Sequence, residues 1–145
     1  MSSRYDTAVL GVNLGYLLAA DQTTAMPASA GVRPTELARI LRGYSPFVVD
    51  LFADHAERIE TGTVTAADGT VDVYLGAVEH LIGTSRTLGV DTALNDAMST
   101  LLRRASAAGL GGEGPASLAG TLHVAGRDSG VSRPTLVTAR SRQFG

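Results

Sequence analysis

From Tyr5 to Gln22 the chain reads YDTAVLGVNLGYLLAADQ, a stretch whose only charges are Asp6 and Asp21 near its two ends. Such a run can be a membrane span, a nucleotide-binding turn or a buried helix, and each makes a different protein. The mostly apolar part, Ala8 to Ala20, is interrupted by Asn13 and is well short of the ~20 residues a spanning helix needs. Gly11 and Gly15 do not form G-x-G-x-x-G, and no alternating strand pattern precedes them as a dinucleotide-binding turn requires. A helix remains, from about Ser3 to about Ala28, with apolar residues all around its circumference and therefore expected to be buried on nearly all sides. Its two glycines let another backbone approach closely, and each costs about 1 kcal/mol relative to alanine, so packing has to offset them.

The rest of the chain punctuates as further helices. In GVRPTELARILRGY, Pro34 suits a first helical position, Leu37, Ile40 and Leu41 form an apolar set, and Gly43 reads as the stop. The next segment restarts with Ser45 as N-cap before Pro46, places Phe47, Val48, Leu51, Phe52 and Ile59 on a helical period, and ends at Gly62. A polar loop, TVTAADGT, leads to a helix from about Val71 to Leu88 with Val71, Leu75, Val78, Leu81 and Ile82 as its stripe. Asp91 then caps a helix with Leu94, Ala97, Met98, Leu101 and Leu102 inward, and a short helix from about Pro115 to Leu122 follows. Only PTLVTAR near the C-terminal end hints at a strand. The expected fold class is all-α, a bundle of about six helices with a long buried first helix. Residues 1–122 form the helical domain, and residues 123–145 are expected to be a loosely structured extension rich in Gly, Ser and Arg.

Composition narrows the chemistry. The absence of cysteine excludes disulfides, thiolate zinc sites and thiol nucleophiles. Every basic residue is arginine, so Schiff-base chemistry and a P-loop lysine are excluded as well. Up to Leu122 the charges sum to −5, and from His123 onward to +3. A mildly acidic body with a short basic tail is not a nucleic-acid binder's pattern. With no secretory signal pattern, a cytoplasmic location is expected. His55, His80 and His123 lack metal-ligand spacing, and no G-x-S-x-G elbow is present. Asp50, Asp54 and Glu57 read as a solvated acidic face. On the first helix, Asp6 and Asn13 share a face with Leu10, Leu14 and Leu17. A carboxylate beside apolar surface could act as acid, base or iminium partner; a structural role at the helix start is the other reading.

Three stretches together resemble the C-terminal domain of imine reductases and reductive aminases, relatives of the β-hydroxyacid dehydrogenases: YDTAVLGVNLGYLLAA, SAGVRPTELARIL and the block from Val73 to Leu122 beginning VYLGAVEHLIGTSRTLGVDTALNDAM. The resemblance covers about Tyr5 to Leu122. It implies that the first helix lies at the centre of an intertwined homodimer. It also implies that NADPH is held by a Rossmann domain that precedes the helical domain and is missing from this sequence, with substrate between the two kinds of domain. Residue by residue, Asp6 matches the acidic residue that faces the substrate amine, and Tyr44, within a residue, matches an active-site aromatic. Leu14 stands where the family usually has a proton-donating Tyr or Asp, and leucine cannot transfer a proton. The implied site has Asp6 as catalytic group near its mouth and Leu10, Asn13, Leu14, Tyr44 and Phe47 as substrate-binding wall, for a small hydrophobic or amine-containing ligand. No cofactor-binding or metal-binding residue is expected in this chain, nor a nucleic-acid or membrane partner. Three roles remain open: the substrate-binding and dimerisation domain of an NADPH-dependent oxidoreductase, served by a separate Rossmann-domain partner; a stand-alone biosynthetic protein using the pocket for redox-independent chemistry such as cyclisation; and a purely structural dimerisation module.

Overall fold

The structure, a computed structural model, describes residues 2–122, which are all-α: no strand occurs among them. The expectations for residues 123–145, the strand hint included, lie outside the described residues. The elements are α1 (Ser2–Ala28), α2 (Pro34–Thr61), α3 (Val71–Thr87), α4 (Ala93–Ala105), a π-helical turn (Ser106–Leu110) and a 3-10 helix (Pro115–Thr121). None of the described helices is long and apolar enough to cross a membrane. The described residues divide into two compact units, one of residues up to Phe47 with Gly76–Thr100, the other of Val48–Leu75 with residues 101–122.

Three helices stop in the same way. At the end of α1, Gly31 N–H donates to Ala28 O and Val32 N–H to Pro27 O, both at 3.0 Å. Gly62 with Thr63 closes α2, and Gly89 with Val90 closes α3, on equivalent pairs of carbonyls. Each motif places its glycine at φ between +69° and +80°, where a Cβ would be strained, so Gly62 and Gly89 end helices where the sequence reading put the stops.

One expected break is absent. Gly43 does not stop a helix and Ser45 does not start one, because α2 runs unbroken from Pro34 to Thr61 with Pro46 inside it. Pro46 has no N–H to give to Arg42 O, the bond its position in the helix would otherwise make. The Ser45 hydroxyl donates to that same carbonyl at 3.2 Å. The Ser-Pro pair that reads as an N-cap signal is instead a repair of the helix ladder.

In the unit containing α1, Val78 and Ile82 of α3 are buried with Ser85, Asn95 and Ser99. Ser85 Oγ lies 3.7 Å from Met26 Sδ, and Gln22 Nε2 donates to Asp91 O at 3.0 Å, so the C-terminal third of α1 is held there. The α4 face meets expectation at Leu102, which is buried, but Met98 and Leu101 are 41% and 38% exposed, and Asn95 and Ser99 share the buried face with Leu102. Those three follow at i, i+4 and i+7, one residue round the helix from the Leu94, Met98 and Leu101 row. Asp91 does cap α4, accepting the Ala93 N–H at 2.9 Å.

The other unit is built around the start of α3. Thr70 Oγ1 caps it by accepting Val73 N–H at 3.2 Å, while Val71 and Asp72 donate their N–H groups to Glu113 O and Gly111 O. Val71 and Ala105 are fully buried, with Leu102 and Ala116 nearly so. The Asp72 carboxylate accepts the Ser106 hydroxyl at 2.6 Å and lies directly over Gly111, where an added Cβ would overlap it. Gly114 donates to Val64 O at 2.6 Å, and a Cβ there would come within 3.0 Å of Thr65 O. In α2, Arg58 pairs with Asp54 at 2.6 Å, and this hydrogen bond is the main cause of a raised Arg58 pKa.

Two stability measurements check these assignments. Gly111→Ala is expected to destabilise the chain by about 2 kcal/mol in denaturant unfolding, with less effect in an Asp72→Ala background, whereas Gly112→Ala, whose Cβ meets nothing within 4 Å, changes little. Ser45→Ala is expected to cost about 0.5–1 kcal/mol, falling to about zero when Pro46→Ala restores the missing N–H.

Candidate functional site

The six residues singled out from sequence lie on α1 and α2 of one unit. Tyr44 and Phe47 are brought together, their rings 5.4 Å apart and edge to face at 71°. Leu10 and Leu14 are more than half exposed, and Asp6 and Asn13 are exposed as well. Asp6 takes part in an interaction within the chain. None of the six lines either of the two concavities described below.

The concavity that α1 and α2 do form has a volume of about 340 Å³ and lies nearer the loop that joins them. Tyr16, Ala20 and Thr24 of α1 line it, facing Pro34, Leu37, Ala38, Leu41, Arg42 and Ser45 of α2. None of the six expected residues is among them. Asn13 shares this face by helical spacing, since Asn13, Tyr16, Ala20 and Thr24 follow at intervals of three and four. Tyr16 lies two residues beyond Leu14 and therefore points to another side of α1. That same offset aims it at α2, and the row of small and polar residues at i, i+4 and i+8 was the available signal. A second, open concavity of about 660 Å³ lies where α1 meets the α3–α4 connection, between Leu18, Asp21, Gln22 and Ala25 on one side and Leu88, Val90, Asp91, Ala93 and Leu94 on the other. Its Asp91 carboxylate is engaged in capping α4.

Among the described residues no cluster of His, Asp or Glu could hold a metal ion. The acidic face of α2 is solvated at Asp50, Asp54 and Glu57, with Asp54 bound to Arg58. A dinucleotide's pyrophosphate is held by a glycine-rich turn between a strand and a helix. The described residues contain no strand from which such a turn could spring.

What dominates this part of the molecule is uncovered apolar surface. Val9, Leu10, Val12, Leu14, Leu17 and Leu18 of α1 are all between 51% and 63% exposed, and Ile40, Phe47, Val49 and Phe52 of α2 are similar.

Solved structures share this fold. A reductive aminase from Aspergillus terreus, solved with NADPH and ethyl levulinate, superposes with a TM-score of 0.81 at 27% identity, over 85% of this chain and 43% of that one. An imine reductase from Myxococcus stipitatus, solved with NADP+, has the same fold, with a TM-score of 0.77 at 23% identity over 84% of this chain and 45% of that one. The chain therefore spans less than half the length of these enzymes. No curated protein matches it significantly in sequence. The family of C-terminal domains of NADPH-dependent reductive aminase-like proteins matches residues 1–124, and the chain belongs to that family.

Proposed function

We propose that this chain is the substrate-binding and dimerisation part of an NADPH-dependent imine-reducing or reductively aminating enzyme, with the dinucleotide held by a Rossmann domain outside the described residues. The observation that carries the reading is the uncovered apolar circumference of α1 in a chain of this family. Covering six half-exposed aliphatic side chains contributes about 1 kcal/mol each, which favours pairing α1 with a second copy. In that dimer the pocket wall is Leu10, Asn13, Leu14, Tyr44 and Phe47, with Asp6 at its mouth. NADPH, where a Rossmann domain supplies it, is the hydride source. Asp6 holds the substrate's ammonium or iminium nitrogen by charge, Asn13 offers a hydrogen bond, and the leucines and aromatic rings exclude water. Leu14 offers no proton at that position.

Leu14 also favours a second reading, in which the pocket binds an amine-containing intermediate and promotes redox-independent cyclisation. Reconstitution distinguishes the two. The full chain is mixed with NADPH and the Rossmann domain of a family member, using the substrates solved with the Aspergillus terreus enzyme, cyclohexanone and allyl amine. NADPH oxidation is expected only when both proteins are present, with Asp6→Asn lowering the rate at least about tenfold while helical content is unchanged. Oxidation by the chain alone, or full activity in Asp6→Asn, contradicts the proposal.

Dimerisation is tested at Gly15. In a single copy a Cβ on Gly15 meets nothing within 4 Å, and leucine is the better helix former, so Gly15→Leu is harmless to the isolated fold. Sedimentation at micromolar concentration is expected to show a dimer for the wild type and a dimer weakened about tenfold or more for Gly15→Leu, by overlap at the close helix contact. A wild-type monomer would remove the dimer from the proposal.

A further inference from the structure

We infer that the Asp68–Gly69 pair is a site of spontaneous covalent modification, at which Asp68 cyclises to a succinimide and reopens as isoaspartate. The inference is independent of the reductive reading and concerns only the unit of Val48–Leu75 and residues 101–122.

The sequence holds a single Asp-Gly pair, and it falls in the connection from α2 to α3. Asp68 is exposed, in a bend of irregular backbone. Among the described residues its carboxylate makes no hydrogen bond or ion pair, and the Gly69 N–H donates to nothing. Arg58 feels the Asp68 charge, but its guanidinium is engaged by Asp54 at 2.6 Å and by Thr65 O at 3.2 Å. A carboxyl carbon and the amide nitrogen that can attack it are therefore adjacent and both unengaged. The other described aspartates differ. Asp6, Asp21, Asp50, Asp54 and Asp96 lie within helices, where the next N–H belongs to the ladder and the next residue carries a side chain. Asp72 precedes Val73, whose N–H goes to Thr70 Oγ1, and the Asp91 carboxylate is held by the Ala93 N–H.

The fold requires the glycine that makes this pair labile. Gly69 has φ +154°, and a Cβ there would stand 3.1 Å from the Tyr74 ring. Without a Cβ, its nitrogen reaches Asp68 Cγ unhindered. The nitrogen attacks Cγ of the protonated carboxyl, the new N–Cγ bond closes the succinimide ring, and the amide proton leaves with the carboxyl hydroxyl as water. Water then adds to either ring carbonyl. Addition at Cγ restores aspartate, whereas addition at the backbone carbonyl breaks the original peptide bond and leaves the chain running through Cβ and Cγ beside a free α-carboxylate. Nothing is oxidised or reduced, and water is the only other reactant. The product is longer by one backbone methylene in a connection pinned at both ends, by Gly114 N–H on Val64 O at 2.6 Å and by Val71 N–H on Glu113 O at 2.8 Å. Thr70, which caps α3 through Val73 N–H, lies between the new linkage and the second pin, so the extra length displaces the cap.

The test ages the full ¹⁵N-labelled chain at neutral pH and physiological temperature beside a synthetic peptide of residues 64–72. Isoaspartate is counted by methyl transfer from S-adenosylmethionine with an isoaspartyl methyltransferase and located by peptide mass mapping. The folded chain is expected to form isoaspartate at position 68 at no less than about a tenth of the peptide's rate, a barrier difference under about 1.4 kcal/mol. Asp68→Glu, at an exposed position, is expected to lose the methyl uptake of this segment, because the longer side chain does not close the same ring. In the isoaspartyl fraction the Val73 amide signal is expected to shift as its cap is lost. A rate in the folded chain below about a tenth of the peptide's overturns the inference, including the case where a second copy covers the connection. So does methyl uptake that is unchanged in Asp68→Glu or confined to other aspartates. An unmoved Val73 amide in the isoaspartyl fraction overturns the effect on α3.

Discussion

The apolar surface of α1 is the constraint on which the rest depends. A helix with aliphatic residues on every side cannot be satisfied by one neighbour, because a single packed helix covers about one face. Among the described residues, Met26 against Ser85 and Gln22 against Asp91 hold α1 towards its C-terminal end. Its first two-thirds stays open, and the glycines there meet nothing that would require them. A glycine inside a helix is a cost with no return unless a backbone comes close, so Gly11 and Gly15 point to the same surface as the exposed leucines.

The two units distribute their polar groups differently. Around the start of α3, backbone donors, a threonine cap, the Asp72 carboxylate and the Ser106 hydroxyl are joined in one hydrogen-bonded arrangement beside fully buried Val71. Close approach is tight there, and Gly111 and Gly114 are positions where a side chain has no room. The α1–α2 region is the opposite, with open grooves and exposed aromatics.

Charge further divides the first unit. Asp6 and Arg42 lie on different helices and present opposite charges to solvent-accessible surface. That arrangement is chemistry carried by side chains rather than by the fold, which relatives share at 23% to 27% identity.

Local signals were legible in the sequence wherever the physics is local. Gly62 and Gly89 mark helix ends because the left-handed conformation there excludes other residues, and Asp91 marks a start because its carboxylate reaches an amide two residues on. The all-α class and the family resemblance were legible for a related reason, since periodicity and motif spacing lie along the chain. The pair Ser45–Pro46 misled because the same two residues can begin a helix or repair one, and only the continuous backbone on both sides decides. Tertiary structure alone decided that α4 buries Asn95 and Ser99 beside the expected Leu102 while Met98 and Leu101 stay exposed, as the inward face depends on which helix packs against it. It alone placed Tyr16 opposite Arg42 across a groove, because the sequence fixes which residues share a helix face but not which face a second helix meets.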